Sequence, residues 1–142
     1  MDRESAPFGQ NVWDQIDAVA ASAAAEVRAG RRILAAVGPL GFDARVGVAE
    51  DVIVDEADDR ASVLMPRARA LPVLQRQVEL GARTIEATEK RGQPLLFEGI
   101  AEAARVIART EDRLLFEGLA SAGLVGLTGH PGAIELGVGD WS

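Results

Sequence analysis

His130, in Gly129–His130–Pro131–Gly132, is the chain's single histidine, and Cys is absent. One imidazole could serve as a general base or a metal ligand, but a zinc site needs several His or Cys ligands and none can join it. Flanked by glycines, His130 reads as a turn residue. Five serines could supply a nucleophile, yet no G-x-S-x-G elbow is present and only His130 could activate one. Asp55–Asp59 (DEADD) could hold a hard cation, but it lacks the alternating ligands and central glycine of a calcium loop and reads as a solvated tip. Glu111 and Asp112 could form an acid/base pair. Among the neighbouring arginines, ion pairing with Arg109 or Arg113 is the simpler expectation. "GLVGLTG" has neither the spacing nor the position of a phosphate loop. These residue types assemble no catalytic constellation, so no enzyme activity is expected.

The elements around these residues follow from periodicity. In Pro94–Leu119, Leu96, Ile100, Ala103, Ile107 and Leu114 share one helical face, with Phe97, Ala101, Ala104, Ala108 and Leu115 one position round. Glu102–Arg105 and Arg109–Asp112 stand at helix-neighbour spacing with opposite charge. Gly99 weakens the first turn and Gly118 is a plausible stop. The spacing thus predicts a long, widely apolar spine helix that other elements must cover. The phrase LLFEG occurs at Leu95 and again at Leu114. Two copies 19 residues apart on a helix point in different directions and build no solenoid.

Upstream, Asn11 with Asp14 predicts a capped helix start, and Trp13, Ile16, Ala20, Ala23 and Val27 form its stripe up to Gly30. Arg31–Val37 reads as a strand, broken by "GPLG". Residues 42–80 read as extended, with the acidic run as a hairpin tip. Residues 81–91 predict a short helix stopped by Gly92.

Composition excludes whole classes. The 142 residues are 48% hydrophobic and 26% charged, which is globular rather than disordered. A net charge of −7 and few aromatics argue against broad nucleic-acid binding. No apolar run approaches 18 residues, so no membrane partner is expected.

"RTEDRLLFEG" followed by "LASAGLVGL" resembles the encapsulin family of nanocompartment shell proteins, once grouped as linocin-type bacteriocins. The match includes Glu111, Asp112, Phe116, Gly118, Gly126 and Leu127. "SAPFGQNVWDQID", "GRRILAAVGPLG", "LPVLQRQVEL" and "KRG" agree in order. The resemblance implies an α+β, tailed-phage major-capsid-like (Hong Kong 97-type) fold. Residues 1–41 would be the N-terminal arm, first helix and strand; 42–80 an extended loop reaching a neighbour; and 81–142 a peripheral-domain part with the spine helix.

It further implies a cytoplasmic icosahedral homo-oligomer enclosing a cargo enzyme, such as a dye-decolourising peroxidase or a ferritin-like protein. A cargo tail would contact the inner surface near Val27, Arg31 and Ile33; alternatively Arg31 only braces the first helix. Where the family often has a large aromatic and an Asp in the cargo region, this chain has Ala24 and Ala35. Where some members stack a flavin on Trp, it has Arg83, so no cofactor is expected. Family shell proteins are roughly twice as long, and the axial domain is not represented here. "GDWS" at residues 139–142 reads as a helix lead-in, so a second polypeptide or further sequence is expected to supply that domain. The competing readings are a non-assembling interaction module and a protease or bacteriocin of the older family name.

Overall fold

A computed structural model describes residues 3–4, 6, 8–41, 43–56, 61–93, 97–134, 137 and 139, with side chains at 49–50 and 54–56 left aside. The architecture is mixed α and β. Helix α1 (Gln10–Val27) lies along α4 (Glu98–Phe116), the spine. Their contact is built largely from small side chains: Ala23 and Ala24 of α1, and Ala101, Ala103 and Ala108 of α4, are buried with Val12, Trp13 and Ile100. Alanines let two helix backbones approach closely without side-chain entropy loss. On the rim, Arg105 of α4 reaches Glu26 of α1 at 3.3 Å and the spine's own Glu98 and Glu102 at 3.8 Å. The Glu102–Arg105 pairing expected from spacing is therefore present, within a larger network.

The spine begins at Glu98 and ends at Phe116. Gly99 lies inside its first turn, and Pro94, Leu95 and Leu96 lie outside the described residues. The chain turns back at Gly118, which has φ 79°. Strand β3 (Gly118–Leu119) pairs with β4 (Leu124–Val125) across a 3-10 turn at Ala120–Ala122. This return supplies partners for the last spine carbonyls, which have no intrahelical donor. Leu127 N–H donates to Leu115 O at 2.9 Å, and Thr128 donates to Phe116 O through both its N–H and its hydroxyl. At Gly126 a Cβ would collide with the backbone of Phe116, Glu117 and Gly118, so the return passes directly against the helix end.

The N-terminal arm is fastened to α1. Arg3 binds Asp17 bidentately at 2.8 Å and 2.8 Å and stands 4.8 Å above the Trp13 ring, whose other neighbour is Phe8 at 4.8 Å. The helix cap differs from expectation. Gly9, not Asn11, is the N-cap residue, and its N–H donates to Glu89 of α3 (Ala82–Arg91) at 2.7 Å. Asn11 is already inside the helix, where its side chain meets Gln15, while Asp14 accepts from Gln10. An external carboxylate has taken the task that a local side chain was expected to perform. α3 itself lies where predicted and stops at Gly92, which has φ 62°.

Two further expectations are corrected. α1 stops at Val27, before Gly30, and Arg31–Val37 forms no strand: Gly30–Ile33 is a helical turn, α2, followed by irregular chain. A strand needs a ladder partner, and here Arg32 N–H and Leu34 N–H donate instead to the carbonyls of Ala29 and Gly30 in a helical turn. Residues 72–80 are likewise irregular rather than strand.

The extended region does form a hairpin, β1 (Val46–Glu56) against β2 (Ser62–Ala70). Its ladder closes at Glu56–Ser62 around the acidic run; residues 57–59 of that run, and Arg60 after it, lie outside the described residues. Every β2 residue is exposed.

Candidate functional site

Glu111 and Asp112 lie on the last turns of α4 and face the α1–α2 corner. Asp112 accepts two backbone N–H bonds, from Ala29 at 2.6 Å and Gly30 at 2.8 Å. These hydrogen bonds hold its carboxyl below the usual carboxylate range, with lesser help from Arg28 and Arg32. Three elementary facts place it there. The first N–H groups of α2 have no helical acceptor. A carboxylate at a helix N-terminus is favourable. Gly30 is buried and leaves room: a Cβ there would sit 3.0 Å from Asp112 Oδ1 and 2.5 Å from Leu115 Cδ1.

Glu111 performs the neighbouring task with side chains. Arg31 Nε donates to its Oε1 at 2.8 Å, and Arg28 Nε lies 3.2 Å from Oε2, near enough for attraction but not aligned as a hydrogen bond. The acidic pair thus ties α4 to the corner some 80 residues earlier. Among the described residues it does not pair with Arg109 or Arg113, contrary to the local expectation. Those arginines sit on the same helix, whereas Arg28 and Arg31 are brought opposite by α1 packing.

Of the three residues expected to meet cargo, Val27 is half-buried at the end of α1, Arg31 is engaged by Glu111, and Ile33 is 66% exposed at the end of α2. Ala24 is buried against the spine and Ala35 is exposed. Beside this corner opens a cleft of about 990 Å³, bounded by Arg31, Leu34, Val37, Leu40, Leu71, Val73, Glu111, Leu114, Leu115, Leu127 and His130. Its exposed aliphatic groups include Val37, Leu40, Val73 and Leu127. Apart from the β1–β2 ribbon, exposed apolar groups thus border the end of the spine, while on α4 itself the aliphatic side chains are at least half-buried. Sequence periodicity does not reveal the cleft, because the end of the spine forms only one wall and the rest includes irregular segments, residues 34–41 and 71–74, with no period.

His130 stands exposed at the cleft rim, where its Nδ1 accepts from Gly132 N–H at 3.1 Å, as a turn residue does. Among the described residues no group of three His, Asp or Glu side chains could hold a metal ion. Arg83 is exposed at the start of α3. Among the described residues no helix is long and apolar enough to cross a membrane.

The described residues thus form a charged clamp, an apolar cleft and an exposed ribbon. The family profile "Encapsulating protein for peroxidase" matches residues 1–141. The type 1 encapsulin shell protein of Myxococcus xanthus is 29% identical over 146 residues, covering 96% of this chain and 51% of the relative. Its counterpart in Rhodospirillum rubrum is 31% identical over 132 residues, covering 88% and 47%. That of Rhodococcus erythropolis is 27% identical over 137 residues, covering 94% and 51%. The chain spans about half the length of the curated relatives it matches.

Proposed function

The chain belongs to the family of encapsulating proteins, the encapsulins, and from that premise we propose that it is a structural, non-enzymatic shell subunit that self-assembles into an icosahedral, cytoplasmic nanocompartment around a cargo enzyme. The structural observation that carries this reading is the β1–β2 ribbon, in which every β2 residue is exposed and aliphatic groups stand clear of the body. A two-stranded ribbon is marginal by itself and needs a neighbour. A shell subunit supplies one.

The capsid-like assignment of parts goes with it. Residues 1–41 are the arm with α1 and the corner, 42–80 the extended loop, and 81–142 the peripheral-domain part with the spine. Relatives twice as long supply about as much chain again as the part matched here. We take that second half to carry the axial domain, on the same chain or on a second polypeptide, and to cover the apolar cleft. A cargo tail, borne by a peroxidase or ferritin-like protein, would meet the inner surface near Val27, Arg31 and Ile33, where Ile33 offers exposed apolar area.

The test is negative-stain microscopy and native mass measurement of the purified full-length chain. Closed particles of uniform diameter are expected. A monodisperse small species under all conditions would overturn the shell reading in favour of a non-assembling interaction module.

A further inference from the structure

Three arginines meet at the root of the ribbon. β2 alternates without interruption, so Val63, Met65, Arg67 and Arg69 share one face, and Leu71 continues it. Cross-strand partners lie on the same face. Leu71 N–H donates to Arg45 O at 2.9 Å, which sets Arg45 opposite Leu71 and on that face as well. Gly47 stands opposite Arg69, and a Cβ there would touch Leu71 at 3.4 Å, diagonally across the same face. Arg45 is likewise diagonal to Arg69, and Arg67 is two residues along the strand from it. The three Cβ positions therefore follow one another at separations of about 8 Å or less. All three arginines are exposed. Gly47 brings no side chain, which leaves an open floor beside Arg69.

No carboxylate balances them. Arg3, Arg28, Arg31 and Arg105 on the body each lie beside a carboxylate. Among the described residues, Arg45, Arg67 and Arg69 make no ion pair. Asp51 is on the other face, opposite Pro66. The acidic run begins at Asp55, roughly 30 Å up β1 from Val46, while charges in physiological salt are screened over about 8 Å. Arg69 also borders the cleft, where the one lining carboxylate, Glu111, is already held by Arg31.

Like charges side by side on one face weaken a strand pair, and a two-stranded ribbon has little stability to lose. An anion that bridges the arginines removes the repulsion. Guanidinium groups are planar forks that bind phosphate oxygens two at a time. Three such forks on one face suit an anion that carries more than one phosphate group. A long polyanion would also meet the field of a chain with net charge −7. A compact one seated at the ribbon root meets chiefly the three arginines.

We propose that Arg45, Arg67 and Arg69 form a binding site for a compact oligophosphate anion, seated on the open floor beside Gly47. The proposal goes beyond the shell reading and does not depend on it.

Inorganic tripolyphosphate is the probe, titrated by calorimetry into the full-length protein at low ionic strength. Saturable binding is expected. It should weaken about tenfold or more in Arg67→Gln/Arg69→Gln and, separately, in Arg45→Gln, since each removes charge-assisted bonds to phosphate. Arg83→Gln, which removes an exposed arginine on α3, should change the affinity less than about twofold. Arg67→Lys/Arg69→Lys keeps the charge and should recover part of the affinity. Circular dichroism checks that each variant is folded. Absence of saturable binding overturns the site, as does full affinity in both glutamine variants or an equal loss in Arg83→Gln. Tighter binding of a single-stranded oligonucleotide than of tripolyphosphate would make the patch a nucleic-acid contact and overturn it too. Particle formation is scored separately by microscopy: binding without particles sinks only the shell reading, and particles without binding sink only this proposal.

Discussion

Asp112 and Gly30 are 82 residues apart, and the carboxylate of one accepts the backbone N–H of the other at 2.8 Å. The contact makes a spine side chain the N-terminal cap of α2 and sets the angle at which the chain leaves α1. Replacing Asp112 by Ala removes both this bond and the one from Ala29. A lost N-terminal cap costs about 1–2 kcal/mol, which should lower the melting temperature by roughly 3–8 °C. Calorimetry that finds an unchanged melting temperature would remove the clamp from the list of stabilising contacts.

The same carboxylate predicts a pH dependence. Its pKa is lowered in the folded state, so its contribution is fully present above the unfolded value of about 3.9. It is lost only as pH falls through the lower folded value. The stability difference between the unmodified protein and Asp112→Asn should therefore be constant from pH 7 down to about 5 and shrink below 4. A difference that vanishes already near pH 6 would point to another group.

Two glycines of the return should differ sharply on substitution by alanine. At Gly126 the new Cβ meets backbone of residues 116–118, which cannot move without breaking the capping of the spine. At Gly123, φ is 65° and nothing lies within 4 Å. Gly123→Ala should cost about 1–2 kcal/mol for its left-handed conformation. Gly126→Ala should cost more than about 3 kcal/mol or prevent folding. Urea midpoints of the two variants measure this ordering.

The arm can be followed by fluorescence, since Phe8 and Arg3 both contact the Trp13 ring. Asp17→Asn breaks the bidentate partner of Arg3. It should red-shift Trp13 emission, compared in a background where Trp141 is replaced by Phe, with little change in overall stability because both groups are about half exposed. Identical spectra would mean that the aromatic contact holds the arm without the ion pair.

Arg31→Ala separates bracing from cargo capture. Arg28 remains beside Glu111, so a stability loss below about 1 kcal/mol is expected. If Arg31 also contacts a cargo tail, particles of the variant should retain clearly less of a tagged cargo. Retention at the unmodified level would leave Arg31 a brace alone. Deleting Asp51–Ser62 complements this: small soluble species are expected, and full-size particles would show that the ribbon is not the clasp.

Much of this protein was legible in order along the chain. The spine, the short helix stopped at Gly92 and the hairpin around the acidic run follow from apolar period, glycine and charge, all of which act over a few residues. The Glu111–Asp112 pair was visible as a feature, and the family resemblance marked it out. Its partners were not visible. Local spacing pointed to Arg109 and Arg113, whereas α1–α4 packing brings Ala29, Gly30, Arg28 and Arg31 opposite instead. Arg31–Val37 has strand-like composition, yet a strand exists only with a ladder partner, and the tertiary structure starts this segment as a helical turn whose preceding N–H groups, at Ala29 and Gly30, are held by Asp112. Gly9 as the cap of α1 depends likewise on Glu89, 80 residues away. The cleft pairs the end of the spine with segments that have no period, so the spine's own pattern does not announce it. Short-range steric and hydrophobic preferences are written in the order of residues, while long-range hydrogen bonds and clefts are decided only when packing selects which distant groups meet.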